Sequence, residues 1–400
     1  MASQQASATV PADEPPKVAF WNDPAKRGYA FQFVLFLIVA FLVYEATTNA
    51  IDNLTKQKIA SGFGFLKVTA GFDIGQRLIE YSNTSTYGRA FVVGLLNTLL
   101  VASIGIVLAT FLGFIVGIAR LSRNWLVQKI ATVYVELIRN TPLLLQLLFW
   151  YNAVLKALPE VRNSAALPGG AFLNNRGLFM PDPSFGSSFQ YVTYVFLLGC
   201  IAFFFYGRWA KRRQDATGQQ ARSLPVAIGL ILVLPLAVYF LAGQPLTLTY
   251  PNLGRFNIQG GLQIFPEFVA LVVGLVIYTA AFIAEVVRAG IQAVSRGQTE
   301  AAYALGLRPG PTLDLVVIPQ AMRVIIPPLT SQYLNLTKNS SLAVAIGYPD
   351  LVQVFTGTVL NQTGQAVEVI AITMLVYLTI SLSTSLFMNW YNSRKALVER

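Results

Sequence analysis

Glu300-Ala301-Ala302-Tyr303-Ala304-Leu305-Gly306, continuing to Ile318-Pro319, lies in a polar loop at about 291–322 between two strongly apolar segments. The run from Glu300 reads as a short amphipathic helix, Gly306 as its stop, and Ile318-Pro319 as the re-entry into apolar surroundings. Two consecutive alanines leave one face of that helix low, so another surface can approach it closely. A plain surface helix with a glycine stop would fit the same residues; the small alanines favour a helix that docks, slung between two membrane segments.

The composition supports a membrane. Of the 400 residues 54% are hydrophobic and only 12% charged, against about a quarter charged in soluble domains. Eight apolar runs reach or approach the roughly 20 residues needed to cross a hydrocarbon core about 30 Å thick. They fall at about 29–50, 90–119, 131–158, 190–206, 224–242, 264–290, 323–346 and 366–390. The expected fold is therefore all-α, a polytopic bundle of about eight transmembrane helices. Residues 1–28 are polar and Pro-rich and read as a disordered tail. The loops at about 51–89 and 159–189 carry Pro, Gly, Asn and Ser and should lie outside the membrane.

Net charge is +11, yet the basic residues lie in short clusters between apolar runs, a membrane-orientation pattern and not a nucleic-acid surface. With the N-terminus placed in the cytoplasm, nineteen of the 29 Lys and Arg fall on inner segments and nine on the longer outer ones. The remaining one, Lys338, falls inside a span. The bias sets both termini and the Glu300 loop in the cytoplasm. The run from Arg208 to Arg222 reads as a solvated cytoplasmic turn carrying an orientation signal. A single cysteine, Cys200, forbids an internal disulfide, and the absence of histidine removes the commonest general base and metal ligand. There is no G-x-x-x-x-G-K-[ST] phosphate loop and no metal-ligand cluster, so an intrinsic ATPase or hydrolase is not supported.

Three further pieces carry a resemblance. They are Gly94-Leu95-Leu96-Asn97-Thr98-Leu99, the run Glu136-Leu137-Ile138-Arg139-Asn140-Thr141-Pro142-Leu143-Leu144-Leu145-Gln146, and a stretch from Tyr278 through Glu285-Val286-Val287-Arg288-Ala289-Gly290 to Thr337-Lys338-Asn339-Ser340-Ser341-Leu342. Together with the Glu300 loop they resemble the ABC importer permeases of the polar amino-acid, histidine/glutamine type. The added first span, the hairpin at about 190–242 and the long outer loops resemble the enlarged Q-type subunit of general L-amino-acid permeases. The resemblance implies a five-helix core within 90–400, an inserted loop and hairpin at about 159–242, and an extra span with its outer loop at 29–89. It implies that Glu300, Ala301, Ala302 and Gly306 couple to an ATPase dimer. The other implied partners are a periplasmic amino-acid-binding protein and a second, homologous permease, in a bacterial inner membrane. No cofactor is expected on this chain, ATP and Mg²⁺ being bound by the partner ATPase.

Lys338 lies about fifteen residues into its span, roughly 20 Å deep at 1.5 Å per residue. An ammonium at that depth must face protein or water. Pro327-Pro328 upstream predicts a helix break of the kind that lines transporter cavities. A substrate carrying a carboxylate and an ammonium needs a cation for one end and oxygens for the other. Asn97, Gln146, Tyr278, Thr279 and Asn339 fall at comparable depth and complete a candidate substrate pathway, with helix-to-helix hydrogen bonding as the alternative for each. Glu136 with Arg139, and Glu285 with Arg288, are spaced to pair on a helix face near the cytoplasmic mouth. Gly113 and Gly117 form a G-x-x-x-G that either permits a close helix crossing or is incidental. Two other functions remain open. A secondary transporter predicts an inverted repeat and midplane carboxylates, and a membrane scaffold predicts no polar cluster at matching depth.

Overall fold

The computed structural model describes residues 24–56, 62–219, 221–254 and 257–395. The expected tail over 1–28 lies mostly outside them. The chain divides into two compact units, Met1–Phe63 with Thr363–Glu368, and Gly64–Gln362 with Val369–Arg400.

In the smaller unit, α1 (Pro24–Lys56) is apolar on all sides from Phe33 to Tyr44. Phe31, Phe33, Phe36 and Phe41 are all more than 60% exposed, the signature of a helix whose surroundings are themselves apolar. Thr47 and Thr48 turn their hydroxyls back onto the carbonyls of Val43 and Tyr44, which hides both donors from lipid. The backbone N–H of Gly62 donates to Oε1 of Glu368 at 2.5 Å.

The larger unit opens with α2 (Tyr87–Ala119), whose N-cap Thr86 accepts the Arg89 N–H. A short α3 (Trp125–Arg139) follows, then α4 (Leu143–Leu148) and a π-helical turn to Leu155. The predicted span at 131–158 is thus two pieces. Pro142 removes a donor and pushes Thr141 out of helical conformation, so the helix cannot pass. Four strands come next: β1 (Ala165–Leu167), β2 (Ala171–Asn174), β3 (Gly177–Met180) and β4 (Asp182–Phe185). The inserted hairpin is α5 (Phe189–Thr217) and a second rod, α6 (Ser223–Ala227) running through π-helical Ile228–Val233 into α7 (Leu234–Leu241). Four more strands, β5 (Leu246–Thr249), β6 (Asn252–Leu253), β7 (Ile258–Gln259) and β8 (Leu262–Ile264), lead into α8 (Pro266–Gln292). Then come α9 (Arg296–Ala304), α10 (Pro309–Thr312), α11 (Ile318–Asn339), α12 (Leu360–Thr363) and α13 (Ala366–Lys395).

Seven described helices are long and apolar enough to cross a membrane. The outer loops hold more order than their composition suggests. Strands from either side of the hairpin zip together: β3 pairs β8 and β4 pairs β5, both antiparallel. Two prolines also behave differently from expectation. α11 continues unbroken through Pro327 and Pro328 and ends only at Ser340, where it tightens into a 3-10 segment to Ile346. Proline's fixed φ is itself helical, so the pair stays within the helix at the cost of two backbone donors.

α2 and α8 form the centre of the bundle. An added Cβ at Gly113 would stand 2.5 Å from Cγ2 of Ile283, and one at Gly117 would stand 2.8 Å from Cβ of Val287. Ile283 and Val287 are fully buried. The G-x-x-x-G is therefore a crossing point and not incidental. Gly113→Ala is expected to lower thermal stability in detergent by about 1–3 kcal/mol through overpacking. Gly207→Ala in α5, where nothing stands within 4 Å of the added Cβ, should leave the melting curve unchanged or raise it slightly.

Candidate functional site

The Glu300 loop is built as a short helix on a hinge. α9 ends at Leu305, and Gly306 takes φ +80°, a left-handed conformation that a side chain would strain. The exit is pinned by the Gly306 N–H to the Tyr303 carbonyl at 2.9 Å and the Leu307 N–H to the Ala302 carbonyl at 3.1 Å. Only Ala302 turns inward, 4% exposed, while Glu300, Ala301 and Ala304 face solvent. Leu305 is 83% exposed and Leu315 69%, with Tyr303 about half exposed. Small residues and exposed apolar side chains thus lie together on a solvated loop. Nε2 of Gln320 donates to Oε1 of Gln298 at 3.3 Å, a contact between α9 and the start of α11.

At the same end of the bundle, Glu285 gathers three guanidinium groups. It accepts from Arg288 on its own helix, as the spacing predicts, and from Arg120 at the end of α2. Arg139 approaches to 3.8 Å and lays its guanidinium over the Phe282 ring at 5.2 Å. Arg139 therefore leaves the predicted pairing with Glu136 for a residue on another helix, and Glu136 stays exposed. One carboxylate thus ties α2, α3 and α8. Arg120→Gln is expected to cost about 1–3 kcal/mol of thermal stability, since its side chain is 11% exposed and its hydrogen bond is charge-assisted. Arg139→Gln, 40% exposed and more distant, should cost less than about 1 kcal/mol. Melting curves of both variants in one detergent check the order.

The mid-membrane residues divide. Asn97 is fully buried, and its Nδ2 donates to the carbonyls of Gln76 at 2.9 Å and Pro349 at 2.8 Å. Gln146 is buried, and its Nε2 donates to the carbonyls of Ile138 and Thr141, both at 3.0 Å. These carbonyls lie where Pro142 interrupts the helix, so Gln146 repairs the break. Thr279 is 2% exposed inside α8. None of the three lines open space. The half-buried Tyr278 ring packs on Phe282, centroids 4.9 Å apart.

Lys338 differs from them. It is exposed at the end of α11 and lines a cleft of about 410 Å³ with Ser341, Val352, Thr373, Tyr377 and Ser381. Among the described residues its ammonium has no carboxylate partner. Asn339 follows it, half-buried. The hydroxyls of α13 do not stand out in the sequence, because Thr373 and Tyr377 sit singly in an apolar run and Ser381 is one of several Ser and Thr residues between 379 and 385. Their spacing of four residues is the only hint that they share a face. Behind the cleft, fully buried Asp350 accepts from the Tyr377 hydroxyl at 3.3 Å and from the Gln353 N–H at 2.8 Å. The turn bearing Asp350 is held to α2 by the Leu351 N–H, which donates to the Thr98 hydroxyl at 3.0 Å. Two separate features result, the exposed α9 loop and a largely apolar cleft, shared by Val352, Met374 and Leu378, that four hydroxyl-bearing residues and one cation border.

Known proteins share this sequence at length. The general L-amino acid transport system permease protein AapQ of Rhizobium johnstonii is 53% identical, over 94% of each chain. The putative amino-acid ABC transporter permease protein YhdX of Escherichia coli is 52% identical, over 94% of this chain and 96% of its own. The glutamate/glutamine/aspartate/asparagine transport system permease protein BztB of Rhodobacter capsulatus is 43% identical, over 97% and 99%. Residues 109–396 match the model of the binding-protein-dependent transport system inner membrane component. That segment runs from within α2 to the end of α13 and takes in the α9 loop, the Glu285 cluster and the Lys338 cleft, so the chain belongs to the family of binding-protein-dependent transport system inner membrane components.

Proposed function

We propose that this chain is the membrane-spanning permease subunit of an ATP-driven bacterial importer of L-amino acids. The carrying observation is α9, a short exposed helix that ends on a left-handed glycine, with exposed apolar side chains beside it and a hydrogen bond to a core helix. In this reading Glu300, Ala301, Ala302 and Gly306 present the docking face for an ATPase dimer, which binds the nucleotide and Mg²⁺. The charge bias supports a cytoplasmic side for that loop and both termini in an inner-membrane protein. A periplasmic amino-acid-binding protein delivers substrate at the strand-bearing face, and a second, homologous permease completes the pathway.

The cleft supplies the chemistry that a zwitterion needs. The Lys338 ammonium faces the substrate carboxylate, while the hydroxyls of Ser341, Thr373, Tyr377 and Ser381 offer oxygens to its ammonium, with Asn339 next to Lys338 on the same pathway. Tyr278 belongs to the helix surface bordering the pathway. Asn97, Gln146 and Thr279 hold the backbone that shapes it. ATP-driven closure of the ATPases pushes α9, and the Gln298–Gln320 contact passes the motion to α11 and so to Lys338. The test is uptake of labelled amino acids into vesicles holding the assembled complex. Uptake that requires internal ATP supports the reading. Uptake driven by an ion gradient without ATP, or no uptake by a complex that assembles, refutes it.

A further inference from the structure

The end of α5 is a second feature with chemistry of its own. The helix is 29 residues long, about 43 Å at 1.5 Å per residue, against a hydrocarbon core of about 30 Å. Its apolar part, from Phe189 to Tyr206, spends that core, so the remainder emerges at the headgroup layer on the side away from the strands. That remainder carries Arg208, Lys211, Arg212 and Arg213, with Arg222 opening the returning helix, and all five side chains are exposed. Asp215 is the one acid among them, and the described residues place no carboxylate in an ion pair with any of the five.

The cations are organised. The Arg213 guanidinium lies 5.5 Å from the Trp209 ring centroid, and the Arg208 guanidinium 5.2 Å from that of Phe204. The Tyr206 hydroxyl donates to the Arg222 carbonyl at 3.4 Å, which draws the second strand of the turn toward the first. Trp209 and Tyr206 are residues that settle at the membrane interface. The hairpin itself has little protein around it: only 6% of the apolar window of either helix is buried. Its nearest neighbour is therefore the bilayer, and an unneutralised basic cluster at that depth matches the phosphates of anionic headgroups.

We propose that Arg208, Lys211, Arg212, Arg213 and Arg222 form a binding site for the phosphate of anionic phospholipids, anchoring the inserted hairpin to the surface layer. The site is independent of the transport reading. Each cation within reach raises anionic-headgroup affinity roughly fivefold. A phosphate bound there has guanidinium forks for bidentate contact, and the aromatic rings hold those forks at the interface.

The experiment uses the full chain in lipid nanodiscs. Trp209 fluorescence, isolated by subtracting the Trp209→Phe variant, is quenched by brominated phosphatidylglycerol in one preparation and brominated phosphatidylcholine in another. We expect quenching by the anionic lipid to exceed that by the zwitterionic one at least threefold. The ratio should fall to near one in Lys211→Gln/Arg212→Gln/Arg213→Gln. Arg208 and Arg222 are kept there to preserve orientation, and protease accessibility of the turn confirms it. The wild-type ratio should also fall as ionic strength rises. Equal quenching by both lipids in the wild-type chain overturns the site. Inorganic phosphate added at constant ionic strength should leave the ratio intact, and a fall to one would assign the cluster to free phosphate. A ratio that disappears on assembly with the ATPase or second permease would assign it to protein contact.

Discussion

Uptake is expected to fall at least tenfold in Gly306→Val while the protein still inserts and assembles. Gly306 holds φ +80°, with nothing within 4 Å of an added Cβ. The penalty is thus purely conformational, about 1–3 kcal/mol, and β-branching puts it at the upper end. The cheapest relief is to rebuild the exit from α9, breaking the hydrogen bonds to Ala302 and Tyr303 that aim it. Core packing is untouched, because neither Gly306 nor its neighbours Leu305 and Leu307 is buried. Glu300→Lys is the companion. Glu300 is exposed and joins no ion pair among the described residues, so charge reversal removes no internal contact. A loss of uptake there must act through a partner. The measurement is uptake in vesicles together with ATPase recruitment to membranes. Normal uptake in both variants would remove the basis for coupling through α9.

Lys338→Met is the second large effect. The substitution keeps length and removes an ammonium that has no carboxylate partner among the described residues. A structural cation would leave an orphaned acid behind, and stability would suffer. A substrate-facing one leaves nothing unpaired until ligand arrives. Apparent affinity should then fall at least tenfold for every L-amino acid carried, since each brings the same carboxylate. Basal ATPase activity and complex assembly should hold. Thermal stability and concentration-dependent uptake measured on one preparation separate the two roles. Lowered stability with unchanged affinity would sink the substrate-site assignment.

The membrane helices were legible because runs of apolar residues are a one-dimensional signal. So was the α9 loop, where a short polar interval, two alanines and a glycine stand together. The pairing of Glu285 with Arg288 followed from helical spacing. Arg120 did not, since it reaches Glu285 across 165 positions of sequence and nothing local marks it. Arg139 was read with Glu136 for the same reason: spacing shows only the neighbours on one helix. Depth in the sequence is all that groups Asn97, Gln146 and Thr279 with a pathway. Depth does not say which way a side chain faces, and these three face backbone and packed protein. The Lys338 cleft needed hydroxyls from the last helix, whose spacing alone carries little weight in an apolar sequence. The strands were missed because segments of two to four residues are too short to show alternation.

The zipped strands make the inserted hairpin a removable module. Met180 and Leu262 are partners in the β3–β8 register, so everything between them leaves and returns through one doorway, two strand ends about 5 Å apart. Excising 181–261 and closing the gap with a two-residue turn would yield a simple hairpin leading directly into α8. No core helix would have to move. The hairpin can therefore be acquired or lost as one graft, separately from the added first span, without renegotiating the bundle beneath it.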